Sequence, residues 1–80
     1  MAISADSCAD ELQRLVQLHN KDVITLPYAD FYRLTDRERI KEAFKADLTK
    51  RLRGRGYLVH YGEAVVLVAK DFNFSPVKLG

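Results

Sequence analysis

The side chains of this chain that could carry chemistry are one cysteine, two histidines and a group of basic residues. Cys8, His19 and His60 are the only residues of their types, and no two of them stand at the short spacing that metal sites use. A nucleophilic cysteine needs a base placed to activate it, and the sequence places none near Cys8. We therefore predict no catalytic residue, no metal ligand and no cofactor, and we expect that the protein is not an enzyme.

Positive charge is concentrated between residues 36 and 55. This segment holds eight basic and four acidic side chains, a net charge of +4, whereas the whole chain carries +2. Such a basic segment attracts an anionic partner, and it favours nucleic acid. The alternative is a solvated helix face, because bases in the last turn complement the helix dipole. Lysines that stand three positions after glutamates also form ordinary surface pairs.

The basic segment is predicted to form one long helix from about Asp36 to Arg53. Thr35 and Glu38 fit a capping box at its start, and Gly54 and Gly56 supply the flexible backbone that ends a helix. An apolar residue at every fourth position predicts a buried seam. Its members are Ile40, Phe44, Leu48 and Leu52.

The side of this helix opposite the seam is the predicted nucleic-acid contact. Small residues there would let the helix approach a groove, while basic side chains reach phosphates or base edges. The predicted contact residues are Arg39, Lys50 and Arg53 on that side, with Arg51 and Arg55 at the exit of the helix.

Two runs of β-branched and aromatic residues after the helix predict a hairpin. They span 57–61 and 64–68, and Gly62-Glu63 between them suits a two-residue type II′ turn, which pairs Tyr61 with Ala64. Both faces of this hairpin are largely apolar, so each should be covered. The face predicted to bind a second copy or a partner protein carries Val59, Tyr61, Val66 and Val68.

The residues before the long helix predict supporting elements. Ser7 is a cap signal for a first helix. A short strand over 23–26 is closed by Pro27, and 28–34 favours a short helix, with a loop as the alternative. We expect a flexible N-terminus over residues 1–7, one compact domain over 8–72 and a C-terminal tail over 73–80, with Phe72 and Phe74 at the end of the chain docked on the domain.

Length and composition indicate one small soluble domain. The chain has 80 residues, of which 48% are hydrophobic and 30% charged, which is typical of a globular protein rather than a disordered one. Its first residues lack the basic and apolar regions of a signal peptide, and its apolar runs are too short to span a bilayer. We expect a cytoplasmic protein without membrane contact.

The predicted order of elements resembles that of a winged helix-turn-helix domain. That order is helix, short strand, short helix, long helix and hairpin. The resemblance is carried by Leu48-x-x-x-Leu52-x-x-x-Gly56-Tyr57-Leu58, followed by Gly62 and Val65-Val66-Leu67-Val68. It implies a small α+β fold in which the long helix contacts DNA and the hairpin is the wing, although this hairpin has no basic residue at its tip.

Two function classes follow. The first is a small nucleic-acid-binding regulator of transcription, acting as a homodimer and using the basic helix 36–53. The alternative is a protein–protein interaction module, such as an adaptor, an antitoxin or a phage-type inhibitor, that docks through the hairpin 57–69. The concentrated positive charge favours the first class, and the aliphatic, uncharged hairpin favours the second.

Overall fold

The computed structural model describes residues 3–72, which form three helices and one three-stranded antiparallel sheet. The sheet has the strand order β1-β3-β2, so the last strand in the chain is the central one. This architecture confirms the predicted α+β fold and the predicted order of elements; the predicted tail, 73–80, lies outside the described residues. The elements are α1 (Ala5–His19), β1 (Val23–Pro27), α2 (Tyr28–Thr35), α3 (Glu42–Gly54), β2 (Tyr57–Tyr61) and β3 (Val65–Lys70).

Helix α1 begins earlier than its predicted cap. Ser4 is the N-cap, and its hydroxyl accepts a hydrogen bond from the backbone N–H of Ser7 at 3.1 Å. Ala5 is buried, so residues 3–7 belong to the folded part of the chain rather than to a flexible N-terminus. Asn20 ends the helix in the left-handed conformation, with φ of 50°, which a short polar side chain tolerates.

The prediction of one continuous helix from Asp36 is wrong. Thr35 is the buried last residue of α2, and Asp36 takes a left-handed conformation with φ of 54°. The backbone N–H of Arg37 donates to the carbonyl of Tyr32 at 3.2 Å, which closes α2. The capping box of Thr35 and Glu38 therefore does not form, and α3 begins only at Glu42.

The hairpin forms, but its predicted register is wrong by two residues. Tyr61 pairs with Val66 rather than with Ala64, and the N–H of Gly62 donates to the carbonyl of Val65 at 2.9 Å. The turn therefore consists of Glu63 and Ala64. Because a shift of two residues leaves every side chain on its original face, the predicted faces of the hairpin are unchanged.

The core lies between the inner face of the sheet and the three helices. The apolar seam of α3 is confirmed at Phe44, Leu48 and Leu52, all of which are buried; Ile40 precedes the helix and is partly buried against the core. The remaining large core residues come from every other element: Cys8, Leu12, Val16, Ile24, Phe31, Tyr57, Val66 and Val68.

Truncating a seam residue should destabilise the domain strongly. Leu48 has no exposed surface, so Leu48→Ala removes buried apolar atoms and leaves a cavity. We expect the free energy of unfolding, measured by urea titration, to fall by about 2–5 kcal/mol.

The matched control is Leu18→Ala, the same substitution at a helical residue that is 67% exposed. Its effect should stay within about 0.5 kcal/mol. Similar losses for the two variants would contradict the assignment of the seam.

Candidate nucleic-acid interface

The side of α3 that faces away from the core carries short and basic side chains. Ala43, Ala46, Lys50 and Arg53 are all exposed, and their spacing of three or four residues places them along one stripe of the helix. Within residues 3–72, no ion pair engages Lys50 or Arg53. We call these four residues the outer stripe of α3. The stripe brings together two of the five predicted nucleic-acid contacts.

Two other predicted contacts, Arg51 and Arg55, turn towards α1 instead. Arg55 donates to Asp6 at 2.9 Å, to Gln13 at 3.1 Å and also to Asp10. Arg51 lies 3.1 Å from Asp47 and 3.5 Å from Asp6. These contacts join the end of α3 to the first half of α1.

The electrostatic consequence is that Arg55 is held firmly in its charged form. The hydrogen bond to Asp10, assisted by Asp6, raises the pKa of the Arg55 guanidinium above its ordinary value. Arg55 and Arg51 thus neutralise carboxylates of the same chain. That these two arginines contact nucleic acid stays a prediction, and among the described residues both have carboxylate partners.

Arg39 is exposed but lies outside the helix. It belongs to the connection of residues 36–41 between α2 and α3, so its predicted place near the start of a helix was wrong. Lys41, the next base along the chain, is exposed at the N-cap of α3. Both bases therefore extend the positive surface beyond the N-terminal end of the outer stripe.

Arg37 anchors this connection, a role that the sequence analysis did not identify. Its guanidinium carbon lies 4.0 Å from the centre of the Phe44 ring, an attractive cation–π arrangement. Its Nη2 donates to the carbonyl of Ile3 at 3.0 Å, while its buried Nε has no partner among the described residues. Arg37 thus links the N-terminal segment, the connection and the seam of α3.

Lys45 also has interaction partners within the chain. It pairs with Glu42 at 3.5 Å and lies 5.4 Å from the centre of the Tyr61 ring. The Tyr61 hydroxyl donates to the Lys45 carbonyl at 3.3 Å, and burial raises the pKa of Tyr61 to about 12. Half of the eight bases of residues 36–55 therefore have contacts inside the described structure, which leaves Arg39, Lys41, Lys50 and Arg53.

The four residues of the predicted protein interface lie on the face of the hairpin that packs against the core. Val66 and Val68 have no exposed surface, and Val59 and Tyr61 are partly buried against the same core. These four side chains cover the chain's own helices and form no free surface. On the opposite face of the sheet, Leu58 and Val23 are each 44% exposed.

Cys8 is buried, whereas His19 and His60 are exposed. Burial raises the pKa of the Cys8 thiol to about 12, so the thiol stays protonated at neutral pH and is a poor nucleophile. Residues 3–72 contain no group of three or more side chains that could hold a metal ion. None of their helices is long and apolar enough to cross a membrane.

No protein-family model matches this chain, and comparison with curated proteins and with solved structures gives no match. The functional assignment therefore depends on the geometry and charge of the chain itself.

Because Arg55 has ion-pair partners and Arg53 has none within residues 3–72, we expect their replacement to change the free energy of unfolding by different amounts. Arg55→Ala should lower the free energy of unfolding by up to about 1 kcal/mol, because it removes a partly exposed network of ion pairs. High salt should reduce this effect. Urea titration at low and high salt measures both quantities.

Arg53→Ala is the matched control, since it removes the same side chain two residues away. We expect little change in stability and little salt dependence from it. Equal effects of the two variants would show that Arg55 does not hold α3 to α1.

Proposed function

We propose that the protein is a small nucleic-acid-binding regulator that contacts duplex DNA through the outer stripe of α3. The observation that carries this proposal is the open Lys50–Arg53 pair, which stands opposite the buried seam while neighbouring Arg51 and Arg55 are neutralised by α1. Bases without an internal partner are available to phosphates, and phosphate contacts supply most of the affinity of proteins for nucleic acid.

The dimensions of α3 suit the major groove. Its 13 residues make a helix about 20 Å long, and the major groove of B-DNA, about 12 Å wide, admits an α-helix. Ala43 and Ala46 would let the backbone of α3 approach the groove. Lys50 and Arg53 would then reach phosphates or guanine edges from the second half of the helix.

The order of elements also supports α3 as the helix that enters the groove. Helix, strand, two helices and a hairpin, with the sheet order β1-β3-β2, resemble a winged helix domain in which α3 is the recognition helix. The tip of the hairpin carries Glu63 and Ala64, so we expect no phosphate contact from the wing. This restricts the positive contacts to four bases: Arg39, Lys41, Lys50 and Arg53.

The proposal predicts the salt dependence of binding. If all four bases contact phosphates, the logarithm of the association constant should fall against the logarithm of salt concentration with a slope of about −3.5. A fourfold rise in salt would then weaken binding about a hundredfold. Titration of labelled duplex DNA at several salt concentrations, followed by fluorescence anisotropy, measures this slope.

Replacing Lys50 and Arg53 together by alanine should reduce the magnitude of this slope by about two and weaken binding to all sequences. The fold should be unaffected, because both side chains are exposed. Arg39→Ala should remove about one further unit.

The matched control is the double variant Arg14→Ala/Arg33→Ala, which removes two positive charges from exposed positions on α1 and α2. A similar loss of affinity in this control would mean that net charge, rather than the outer stripe, governs binding. Wild-type protein that binds neither duplex DNA nor RNA at low salt would overturn the proposal and leave the protein–protein interaction module as the alternative.

A further inference from the structure

Strand β1 is an edge strand of the sheet, and the backbone groups on its outer side have no partner strand within residues 3–72. Among the strands of residues 3–72, it pairs only with β3. Its four residues before Pro27 are Val23-Ile24-Thr25-Leu26, and none is charged. Edge strands of soluble proteins usually carry a charge, a bulge or a cover that prevents pairing with another chain. At β1, Pro27 only limits the length of the free edge.

The pairing with β3 shows which backbone groups of β1 point outwards. The N–H of Lys70 donates to the carbonyl of Asp22 at 2.8 Å, so Asp22 and Lys70 form a hydrogen-bonded pair. Such pairs alternate along an antiparallel ladder, which directs the backbone groups of Ile24 and Leu26 towards β3. The N–H and C=O groups of Val23 and Thr25 therefore point to the free side.

This pattern is complementary to itself. In an antiparallel arrangement centred on Ile24, Val23 of one copy faces Thr25 of the other, and Thr25 faces Val23. Both are hydrogen-bonded pairs, so four backbone hydrogen bonds form across a two-fold axis. Ile24 of each copy meets its equivalent on the axis.

The charges at the two ends of β1 are complementary in the same arrangement. Lys21 precedes the strand and Asp30 follows it on the first turn of α2. Both are exposed, and neither has an ion-pair partner within residues 3–72. Antiparallel pairing brings the Lys21 end of one strand to the Asp30 end of the other, twice per dimer.

Two grooves beside the inner side of this edge, lined by apolar and polar side chains, provide further contact surface. One groove runs along β1 next to Leu15 and His19, and the other lies beyond Leu26, next to Leu34. The opposite edge of the sheet is different, because β2 packs beside α3 and Tyr61 bonds to the Lys45 carbonyl.

We propose that the free edge of β1 binds the same edge of a second copy of this chain, which forms a two-fold symmetric, continuous six-stranded sheet. This proposal goes beyond the proposed function and does not depend on it, since α3 packs against α1 and β2 and its outer stripe lies away from β1.

A charge exchange tests this interface without disturbing the core. Sedimentation equilibrium without nucleic acid should show a wild-type dimer at about 100 µM. Lys21→Glu and Asp30→Lys should each weaken dimerisation about tenfold, because each places like charges together twice. The double variant Lys21→Glu/Asp30→Lys should restore dimerisation to within about threefold of wild type.

A backbone variant and a surface control complete the experiment. Thr25→Pro removes an outward N–H while keeping the bonds to β3, as proline is tolerated on a free edge, and it should yield a folded monomer. Leu58→Lys changes the exposed face of the sheet away from β1 and should remain dimeric. If Thr25→Pro does not fold, the charge variants of Lys21 and Asp30 still test whether β1 forms the dimer interface.

Three results would overturn the proposal. The first is a wild-type protein that stays monomeric at about 100 µM, a concentration well above a micromolar dissociation constant. The second is a double charge variant that is as weak as the two single variants. The third is dissociation by Leu58→Lys while Thr25→Pro remains dimeric, which would place the interface on the exposed sheet face.

Discussion

The burial of one side of α3 is the constraint on which the rest of the structure depends. Phe44, Leu48 and Leu52 must leave water together, and their spacing of four residues fixes the rotation of the helix about its axis. That rotation decides which bases lie beside α1 and which face solvent. The division of charge along the helix is therefore a consequence of core packing.

This division separates two uses of arginine within a few residues. Arg55 is bound by three side chains of α1, so its charge is compensated inside the domain. Arg53, two positions earlier, is on the other side of the helix and its charge is directed outwards. The net charge of a segment is thus a poor measure of the electrostatic field that a partner meets, because it counts paired and solvent-facing arginines equally.

The sequence predicted those features that follow from a repeated pattern. The four-residue period identified the seam of α3, and the period of two in the hairpin identified its faces correctly even though the register was off by two. The prediction missed a place where the local sequence pattern favours one structure and burial favours another. Thr35 and Glu38 fit a helix start, but burial of Thr35 and the left-handed Asp36 make the same place a helix end.

The candidate site could be predicted only in part for a related reason. Lys50 and Arg53 follow directly from the helical period, whereas the partners of Arg55 lie 42 to 49 residues away in the chain. No local pattern encodes such contacts. The sequence predicts an interface on the inner hairpin face because sequence alone does not show that α1 and α2 already lie against β3 and that Val66 and Val68 are buried.

The central position of β3 has a consequence for how the chain folds. Neither β1 nor β2 pairs with the other, and Val23 meets Ala69 across 46 residues of sequence. The sheet therefore cannot begin to assemble during synthesis until the segment from Val65 to Lys70 has been made. Contacts of such long range slow folding, and until β3 arrives both flanking strands expose unpaired backbone N–H and C=O groups, on which a chaperone or another nascent chain can act.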